Sequence, residues 1–163
     1  MSFDNEYRAM CQWAEGSGGD VPDTAVPGGT DSGEVTYIGR AVQSGGLVPG
    51  KVVPSHGKCY VPYNGREHGH SSYQYLRNSG GADFIWMADS KGRVPVGAVQ
   101  GGITAGGEVF YIGRTRHNSD ICVGKIHPSD GFLYIPYDGK EHHYTHYEVL
   151  VARSVKFGVV GRN

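Results

Sequence analysis

Long apolar runs are missing from this 163-residue chain, and so is an excess of charge of either sign. No stretch approaches the roughly 20 apolar residues of a membrane-spanning helix, and the N-terminal segment lacks the apolar core of a secretory signal. The 15 basic and 16 acidic side chains nearly cancel, which removes any broad attraction to phosphate backbones or anionic membranes. We therefore predict no nucleic-acid partner, no membrane insertion, and a cytoplasmic location unless a non-classical route releases the protein.

Cysteine is also scarce, with Cys11, Cys59 and Cys122 widely spaced along the chain. An odd number of cysteines without a CxxC pair argues against a disulfide framework. The residue that matches Cys59 in the second half of the chain is Leu133, which indicates a packing role rather than nucleophilic catalysis. We expect three free thiols.

Glycine, by contrast, is abundant at 27 of 163 residues, more than twice the usual ~7% and without the period of collagen. Short runs rich in Val, Ile, Tyr and Phe, such as VTYIGRAV and FLYIPY, are typical of strands. The dipeptides Asn64-Gly65 and Asp138-Gly139 stand between such runs and favour type I′ hairpin turns. No run of comparable length has a helical pattern, so the fold class expected is all-β.

The second half of the sequence repeats the first. Trp13 and Trp86 are 73 residues apart, and after an inserted residue near Thr104 the separation becomes 74. The motif pairs are TYIGR and FYIGR, PGK and VGK, and YVPYNGREH and YIPYDGKEH. The repeats cover 11–80 and 84–153, between an N-terminal segment, 1–10, and a C-terminal segment, 154–163, expected to be a closing strand. A unit of this size is marginal alone, so we expect one pseudo-symmetric body.

This tandem pattern resembles the DM-nine (DM9) repeat family, which includes small invertebrate lectins and the N-terminal parts of some natterin-like proteins. The resemblance covers nearly the whole chain. It implies an all-β fold in which two tandem pseudo-symmetric repeats of short antiparallel strands pack as a β-sandwich. It also implies a homodimeric lectin that binds mannose-type glycans and microbial surface polysaccharides in innate immunity. We expect such a pattern-recognition protein to work without catalysis, cofactor or bound metal.

The resemblance also implies where the sugar binds. In the family's lectins a carboxylate before the YIGR strand and the lysine of the GK segment hold the sugar, and here these are Asp31 and Lys51. A carboxylate accepts hydrogen bonds from neighbouring sugar hydroxyls, and an ammonium donates to their oxygens. The plainer alternative is a turn aspartate and a solvated surface lysine.

The second repeat keeps the lysine as Lys125 but changes its surroundings. The insertion leaves Thr104 or Ala105 where the aspartate would fall, and a hydroxyl or methyl group cannot replace a charged acceptor at equal strength. Either the second site is weaker, or Glu108 or Asp120 supplies the missing carboxylate.

Glu34 and Glu108 recur just before the YIGR strand and complete the set of candidate carbohydrate-binding residues. Their repetition is equally consistent with an ion pair to the arginine of that strand. Trp13 and Trp86 are expected to anchor the core, although a tryptophan face can also stack on a sugar ring.

Two other groups invite different chemistry. Histidines alternate or cluster after each hairpin, but without cysteines or carboxylates at ligand spacing, so we expect hydrogen-bonded or exposed residues rather than a metal site. We expect His68 and His142 to be hydrogen-bonded hairpin residues, and the others, His70, His143 and His146, to be exposed. Glu67 and Glu141 suggest the two carboxylates of a glycoside hydrolase, yet as repeat equivalents they lack the different environments that an acid and a base need. A symmetric structural role is expected.

The function expected is therefore that of a lectin. The alternative is a non-catalytic protein-interaction or assembly module that uses the edges of the repeats. A glycan-processing enzyme is disfavoured, because the sequence shows no asymmetric acid–base or nucleophile constellation.

Overall fold

The computed structural model describes residues 11–154, and its regular structure is β-strand apart from two single-turn 3-10 helices, Pro54–His56 and Pro128–Asp130. The strands of the first repeat are β1 (Gln12–Ser17), β2 (Pro27–Asp31), β3 (Glu34–Gln43), β4 (Gly46–Val53), β5 (Lys58–Tyr63), β6 (Arg66–His70) and β7 (Ser72–Arg77). Those of the second are β8 (Ala82–Ser90), β9 (Gln100–Ile103), β10 (Val109–His117), β11 (Asp120–His127), β12 (Phe132–Tyr137), β13 (Lys140–Tyr144) and β14 (His146–Ser154). The all-β prediction is confirmed. Beyond Ser154, the expected closing strand lies outside the described residues, as does the segment 1–10.

Both predicted hairpin turns are present. Asn64 and Gly65 have φ of 51° and 82°, and Asp138 and Gly139 have φ of 52° and 79°. Positive φ at both central residues is what a type I′ turn requires, and asparagine, aspartate and glycine tolerate it best. The turns join β5 to β6 and β12 to β13 in register.

The strands close into an eight-stranded barrel, in the order β4-β5-β6-β13-β12-β11-β10-β9 and back to β4. The first closure is between the two hairpins, where Arg66 pairs with Lys140, and the second joins the repeats where Leu47 pairs with Ile103. The prediction that the repeats pack as a β-sandwich is therefore wrong, because the strands form a closed barrel. Because strands of one repeat pair with strands of the other, the sheet curls onto itself instead of forming two stacked layers.

The remaining strands extend the barrel symmetrically. β3, β7 and β1 continue outward from β4, while β14 and β8 continue from β10. β2 pairs with β3 and also approaches β11 of the other repeat, where the Ile121 amide donates to Thr30 Oγ1 at 3.2 Å. A Cβ on Gly29 would lie 2.0 Å from the Ile121 carbonyl oxygen, and one on Gly102 would lie 2.0 Å from that of Leu47. The glycine pairs Gly28-Gly29 and Gly101-Gly102, at matching positions of the two repeats, thus permit β2 and β9 to lie close to the backbone of the other repeat.

The hydrophobic core is shared between the repeats. Its central cluster takes buried residues from both, namely Val26, Ile38, Leu76, Val99, Ile112, Val123, Leu150 and Ala152. Cys11, Trp13 and Trp86 pack against this cluster, so the tryptophans are core anchors as predicted. Cys59 and Cys122 are buried free thiols. Burial raises the pKa of both thiols, that of Cys122 to about 12, which fits a packing role.

The YIGR arginines fasten the repeats together. The Arg40 guanidinium lies 4.0 Å from the centre of the Trp13 ring, and its Nη1 donates to the Gly101 carbonyl of the second repeat at 3.4 Å. Arg114 stacks on the matching tryptophan at 4.0 Å and donates to the Gly28 carbonyl of the first repeat at 3.0 Å. Each motif arginine therefore combines a cation–π contact with a hydrogen bond across the repeat boundary.

Candidate functional site

The two GK lysines lie inside the protein. Lys51 sits in β4 and is fully buried, and Lys125 sits in β11 with 5% exposure. The alternative that Lys51 is a solvated surface lysine is therefore wrong. An ammonium removed from water needs charged or hydrogen-bonding partners, so its neighbours define the site.

Two carboxylates and a sulfur surround Lys51. Its Nζ lies 2.9 Å from Asp31 Oδ2, 3.8 Å from Glu67 Oε2 and 3.6 Å from Cys122 Sγ. The Tyr137 ring centre is 4.9 Å away. Burial acts to lower the pKa of Lys51, but the Cys122 sulfur and the two carboxylates oppose it, and the net shift is upward. The two carboxylates supply the counter-charge to the buried ammonium.

A cavity of about 500 Å³ lies beside this ion pair. Both repeats line it: Asp31, Ser32, His56, Tyr60 and Glu67 come from the first, and Asn118, Tyr137, Asp138 and Gly139 from the second. The side chains of Asp31 and Glu67 keep 19% and 13% exposure, whereas that of Lys51 keeps 1%. The carboxylates thus face the cavity, with the ammonium enclosed behind them.

Asp120 of the second repeat holds the turn that carries Asp31. Its Oδ1 accepts from Thr30 Oγ1 at 3.0 Å, and its Oδ2 accepts from the Ser32 amide at 3.0 Å and the Tyr137 hydroxyl at 2.9 Å. The bond from the Ser32 amide is the main cause of the lowered pKa of Asp120. The residue at the corresponding position of the first repeat is Gly46, which has no side chain to hold the opposite turn.

Lys125 has a more aromatic environment than Lys51. Its Nζ lies 3.2 Å from Glu141 Oε2 and faces the rings of Tyr63, Phe110 and Tyr134 at 5.3–5.4 Å from their centres. Burial lowers the pKa of Lys125, and the carboxylates of Glu141 and, to a lesser extent, Asp130 only partly oppose that shift. The two lysines are therefore related by sequence but not by chemical surroundings.

The carboxylate that pairs with Lys125 is neither of the two that the sequence suggested. Glu141 takes this role, while Asp120 belongs to the first site and Glu108 anchors a turn. Thr104 Oγ1 accepts from the Glu108 amide at 2.9 Å and so closes the β9–β10 turn. The inserted residue lengthens this turn, which explains why no aspartate equivalent is held over the second lysine.

Glu34 and Glu108 perform matching tasks away from the lysines. Each accepts hydrogen bonds from the backbone amide and the hydroxyl of a serine in the 3-10 helix of its own repeat. The hydrogen bond from the Ser55 amide to Glu34 is 2.8 Å long, and that from the Ser129 amide to Glu108 is 2.9 Å long. The Ser129 bonds are the main cause of the lowered pKa of Glu108. These contacts replace the suggested ion pair with the strand arginine. A sugar-binding role for Glu34 and Glu108 stays a prediction.

Glu67 and Glu141 have the symmetric structural role that was predicted. Glu67 Oε1 accepts from the Gly139 amide at 3.0 Å, and Glu141 Oε1 accepts from the Gly65 amide at 2.9 Å. Each glutamate therefore holds the opposite hairpin with one oxygen and approaches a lysine with the other. The contact with a lysine was not predicted, although the matching GREH and GKEH contexts were a usable signal.

His68 and His142 are hydrogen-bonded as expected, whereas His70, which was expected to be exposed, is half-buried with its Nε2 2.8 Å from Gln43 Oε1. His68 Nε2 lies 3.0 Å from the Tyr63 carbonyl oxygen, and His142 Nε2 lies 3.1 Å from that of Tyr137. Within residues 11–154, no three histidine, cysteine or carboxylate side chains are grouped so that they could hold a metal ion. The same part of the chain has no helix of the length and apolar character that a membrane crossing demands.

Another cleft, of about 540 Å³, lies against β3 and β7. Its main polar groups satisfy each other, since Arg40 Nε donates to Gln74 Oε1 at 2.8 Å and Gln74 Nε2 donates to Glu15 at 2.6 Å. The cavity beside Lys51 differs because an enclosed ion pair underlies it. The cavity beside Lys51 is therefore the candidate functional site.

The fold and this site define an all-β protein of two interlocked repeats with a composite, carboxylate-lined cavity. The chain belongs to the DM9 repeat family, whose model matches residues 4–57 and 30–144. The predicted family is thus confirmed.

The chain is 30% identical to Natterin-3 of Thalassophryne nattereri over 142 residues, which cover 85% of this chain and 36% of that protein. It is 25% identical to Natterin-4 of the same species over 151 residues, 91% of this chain and 36% of that protein.

The chain spans just over a third of the length of these curated relatives. Among solved structures, it resembles the nematode sperm cell motility protein MFP2B with a TM-score of 0.69 at 19% identity, covering 89% of this chain and 47% of that chain. At this identity the likeness shows a shared fold and carries no statement about function.

Proposed function

We propose that the protein is a carbohydrate-binding protein that holds mannose-type glycans in the cavity beside Lys51, without catalysis or bound metal. The observation that carries the proposal is the Asp31–Lys51 ion pair, 2.9 Å long, at the wall of an open cavity built by both repeats. Ionised carboxylates accept strong hydrogen bonds from hydroxyls, and adjacent hydroxyls are what a sugar offers. The lectins of the family this chain resembles support the same class.

In this proposal the two residues have different tasks. Asp31 is the group that meets the sugar hydroxyls, because its side chain is partly exposed at 19%. Lys51, enclosed at 1%, contacts the Asp31 carboxylate from behind and orients it. This division departs from the expectation that the lysine itself grips the sugar, and it makes Asp31 the residue to test first.

The proposal is tested by titrating mannose into the protein and following binding by calorimetry or by NMR. We expect millimolar affinity for the monosaccharide, about −4 kcal/mol. Asp31→Asn keeps the shape of the side chain and removes its charge, and we expect at least tenfold weaker binding. Asp20→Asn, an exposed aspartate of the same repeat, is the matched control. Absence of mannose binding, or equal binding by the Asp31→Asn variant, contradicts the proposal.

We further propose that the protein acts as a pattern-recognition lectin on microbial surfaces and does so as a homodimer. A protein with weak single sites is retained on a dense glycan surface only when it presents several sites at once, and a two-fold dimer presents them. Analytical ultracentrifugation together with mannan retention tests this part. A monomer that binds mannose but is not retained on mannan would contradict it, and self-assembly without any glycan binding would favour an assembly module.

A further inference from the structure

The cavity beside Lys51 extends beyond the ion pair toward two turns of the second repeat. Asn118 lies in the β10–β11 turn and Asp138 in the β12–β13 turn, each with positive φ, at 56° and 52°. Paired residues of the adjoining strands, His117 with Asp120 and Tyr137 with Lys140, bracket these turns. Both side chains are thus presented by rigid strand pairs rather than by long loops.

The size of the cavity exceeds what one sugar ring fills. A volume of about 500 Å³ lies within the ~300–1,000 Å³ range of pockets that enclose drug-sized ligands. A monosaccharide placed on Asp31 and Glu67 would leave the part lined by Asn118 and Asp138 unoccupied. That part carries an amide and a carboxylate, which are suited to bond further hydroxyls.

The charge of the cavity selects among such ligands. Three of its lining side chains are carboxylates, those of Asp31, Glu67 and Asp138. The ammonium of Lys51 already pairs with two of them. A uronate or a sialic acid would bring a fourth negative charge close to these groups, and like charges in a partly desolvated cavity repel strongly.

We propose that the cavity takes a neutral oligosaccharide of at least two sugar units, the first on Asp31 and Glu67 and the second on Asn118 and Asp138 of the other repeat. This inference rests on the proposed carbohydrate-binding function and adds the length and charge class of the ligand. It makes Asn118 and Asp138 specificity-determining residues, although neither belongs to the repeat that supplies the Asp31–Lys51 pair.

The chain offers well-matched variants for the test. Ser44 and Asn64 occupy the positions of Asn118 and Asp138 in the first repeat, both at φ of 51°. Asn118→Ser and Asp138→Asn therefore introduce residues that already occupy the same backbone conformation in this protein, so the fold is expected to be retained. The reciprocal changes Ser44→Asn and Asn64→Asp are the matched control.

The experiment compares mannose, α-linked mannobiose and a disaccharide of mannuronic acid by NMR titration. For the parent protein we expect mannobiose to bind at least tenfold more tightly than mannose and at least tenfold more tightly than the acidic disaccharide. The double variant Asn118→Ser, Asp138→Asn should still bind mannose and should bind mannobiose within about twofold of its own mannose affinity. The control double variant should behave like the parent.

The outcomes separate this inference from the function on which it rests. Equal binding of mannose and mannobiose, or a double variant that keeps the preference for mannobiose, overturns the second sugar position while leaving sugar binding intact. Equal binding of the acidic and neutral disaccharides overturns the charge selection. If neither mannose nor mannobiose binds the parent protein, the carbohydrate function itself is wrong, and this inference is overturned with it.

Discussion

At the residue scale, burial decides how the two lysines respond to change. A solvated lysine can be removed at little cost to stability, but an enclosed one leaves a carboxylate without its counter-charge. Lys51 and Lys125 are both enclosed, with Asp31 and Glu67 beside the first and Glu141 beside the second. Substitutions at either position therefore test stability as well as binding, and the two effects need to be measured separately.

Lys125→Met is expected to lower the free energy of unfolding by about 3 kcal/mol, because breaking a buried pair leaves an uncompensated charge. The stranded group is Glu141, whose side chain keeps 11% exposure. Adding Glu141→Gln removes that charge and should recover a large part of the loss. Urea denaturation of the single and double variants measures both steps. A double variant as unstable as Lys125→Met alone would show that the ion pair is not the cause.

Glu34→Ala tests whether this glutamate is a turn anchor or a sugar ligand. Its two oxygens accept from the amide and hydroxyl of Ser55, and losing such bonds near the surface costs about 1 kcal/mol. We expect that loss in denaturant titrations, with mannose affinity unchanged. Glu108→Ala should lose more, because Glu108 also lies 2.9 Å from His127 Nε2. Weakened mannose binding with unchanged stability would instead make Glu34 a ligand.

The site could be predicted only in part. Asp31 and Lys51 were singled out through the family pattern, and the structure places them 2.9 Å apart although 20 residues separate them. The burial of Lys51 had a sequence signal in the apolar run GLVPGKVV, which the usual exposure of lysine outweighed. Tyr137 and Asp138 could not be assigned to this site, because nothing local reveals which residues of the other repeat will approach.

At the element scale, the hairpins carry the closure of the barrel. The Glu67 amide donates to the Gly139 carbonyl at 3.1 Å, and the Glu141 amide donates to that of Gly65 at 3.0 Å. The sequence predicted both hairpins and their turns correctly from Asn-Gly and Asp-Gly. It did not predict that the hairpin tips meet, because the same local pattern suits a hairpin in a sandwich or in a barrel.

His117, at the end of β10, makes the stability of the folded barrel depend on pH. Its ring centre lies 4.4 Å from that of His142 on β13 and 4.7 Å from that of Tyr137 on β12, and its Nδ1 lies 2.6 Å from the Tyr144 hydroxyl. Burial, followed by the charges of His142 and Lys51, lowers the pKa of His117. As the pH falls through the ordinary pKa of histidine, His117 is protonated in the unfolded chain before it is protonated in the folded protein. The folded state therefore loses stability.

His117→Gln should therefore flatten the loss of stability on acidification between roughly pH 7 and pH 5, the range around the ordinary histidine pKa. Glutamine is the natural choice because Gln43 occupies the corresponding position in the first repeat. Some pH dependence should remain, since burial also lowers the pKa of His70. The measurement is urea denaturation at several pH values. A variant whose stability falls as steeply as that of the parent would exclude His117 as the source.

At the scale of the whole molecule, each repeat completes the other. β9 of the second repeat pairs with β4 of the first, both repeats supply the central core, and the cavity beside Lys51 needs side chains from both. The sequence predicted two copies in one body from the marginal size of a copy. It did not predict the crossing of strands, because a repeat period states how often a unit recurs but not which strands pair between units.

Cutting the chain between Asn78 and Asp83 tests this interdependence. This connection joins β7 to β8, and an engineered protease site there would separate the repeats without removing a strand. Because a unit of about 70 residues buries only about 60% of its unfolded surface, and because each half here leaves part of the core to the other, separated halves should be unfolded or aggregated. The nicked but undissociated protein should still melt in one cooperative transition and bind mannose.

Calorimetry and gel filtration of the nicked protein and of each purified half provide the measurement. Two soluble halves that each melt cooperatively would mean that the repeats are independent domains, and a cavity made from both would then need a different explanation.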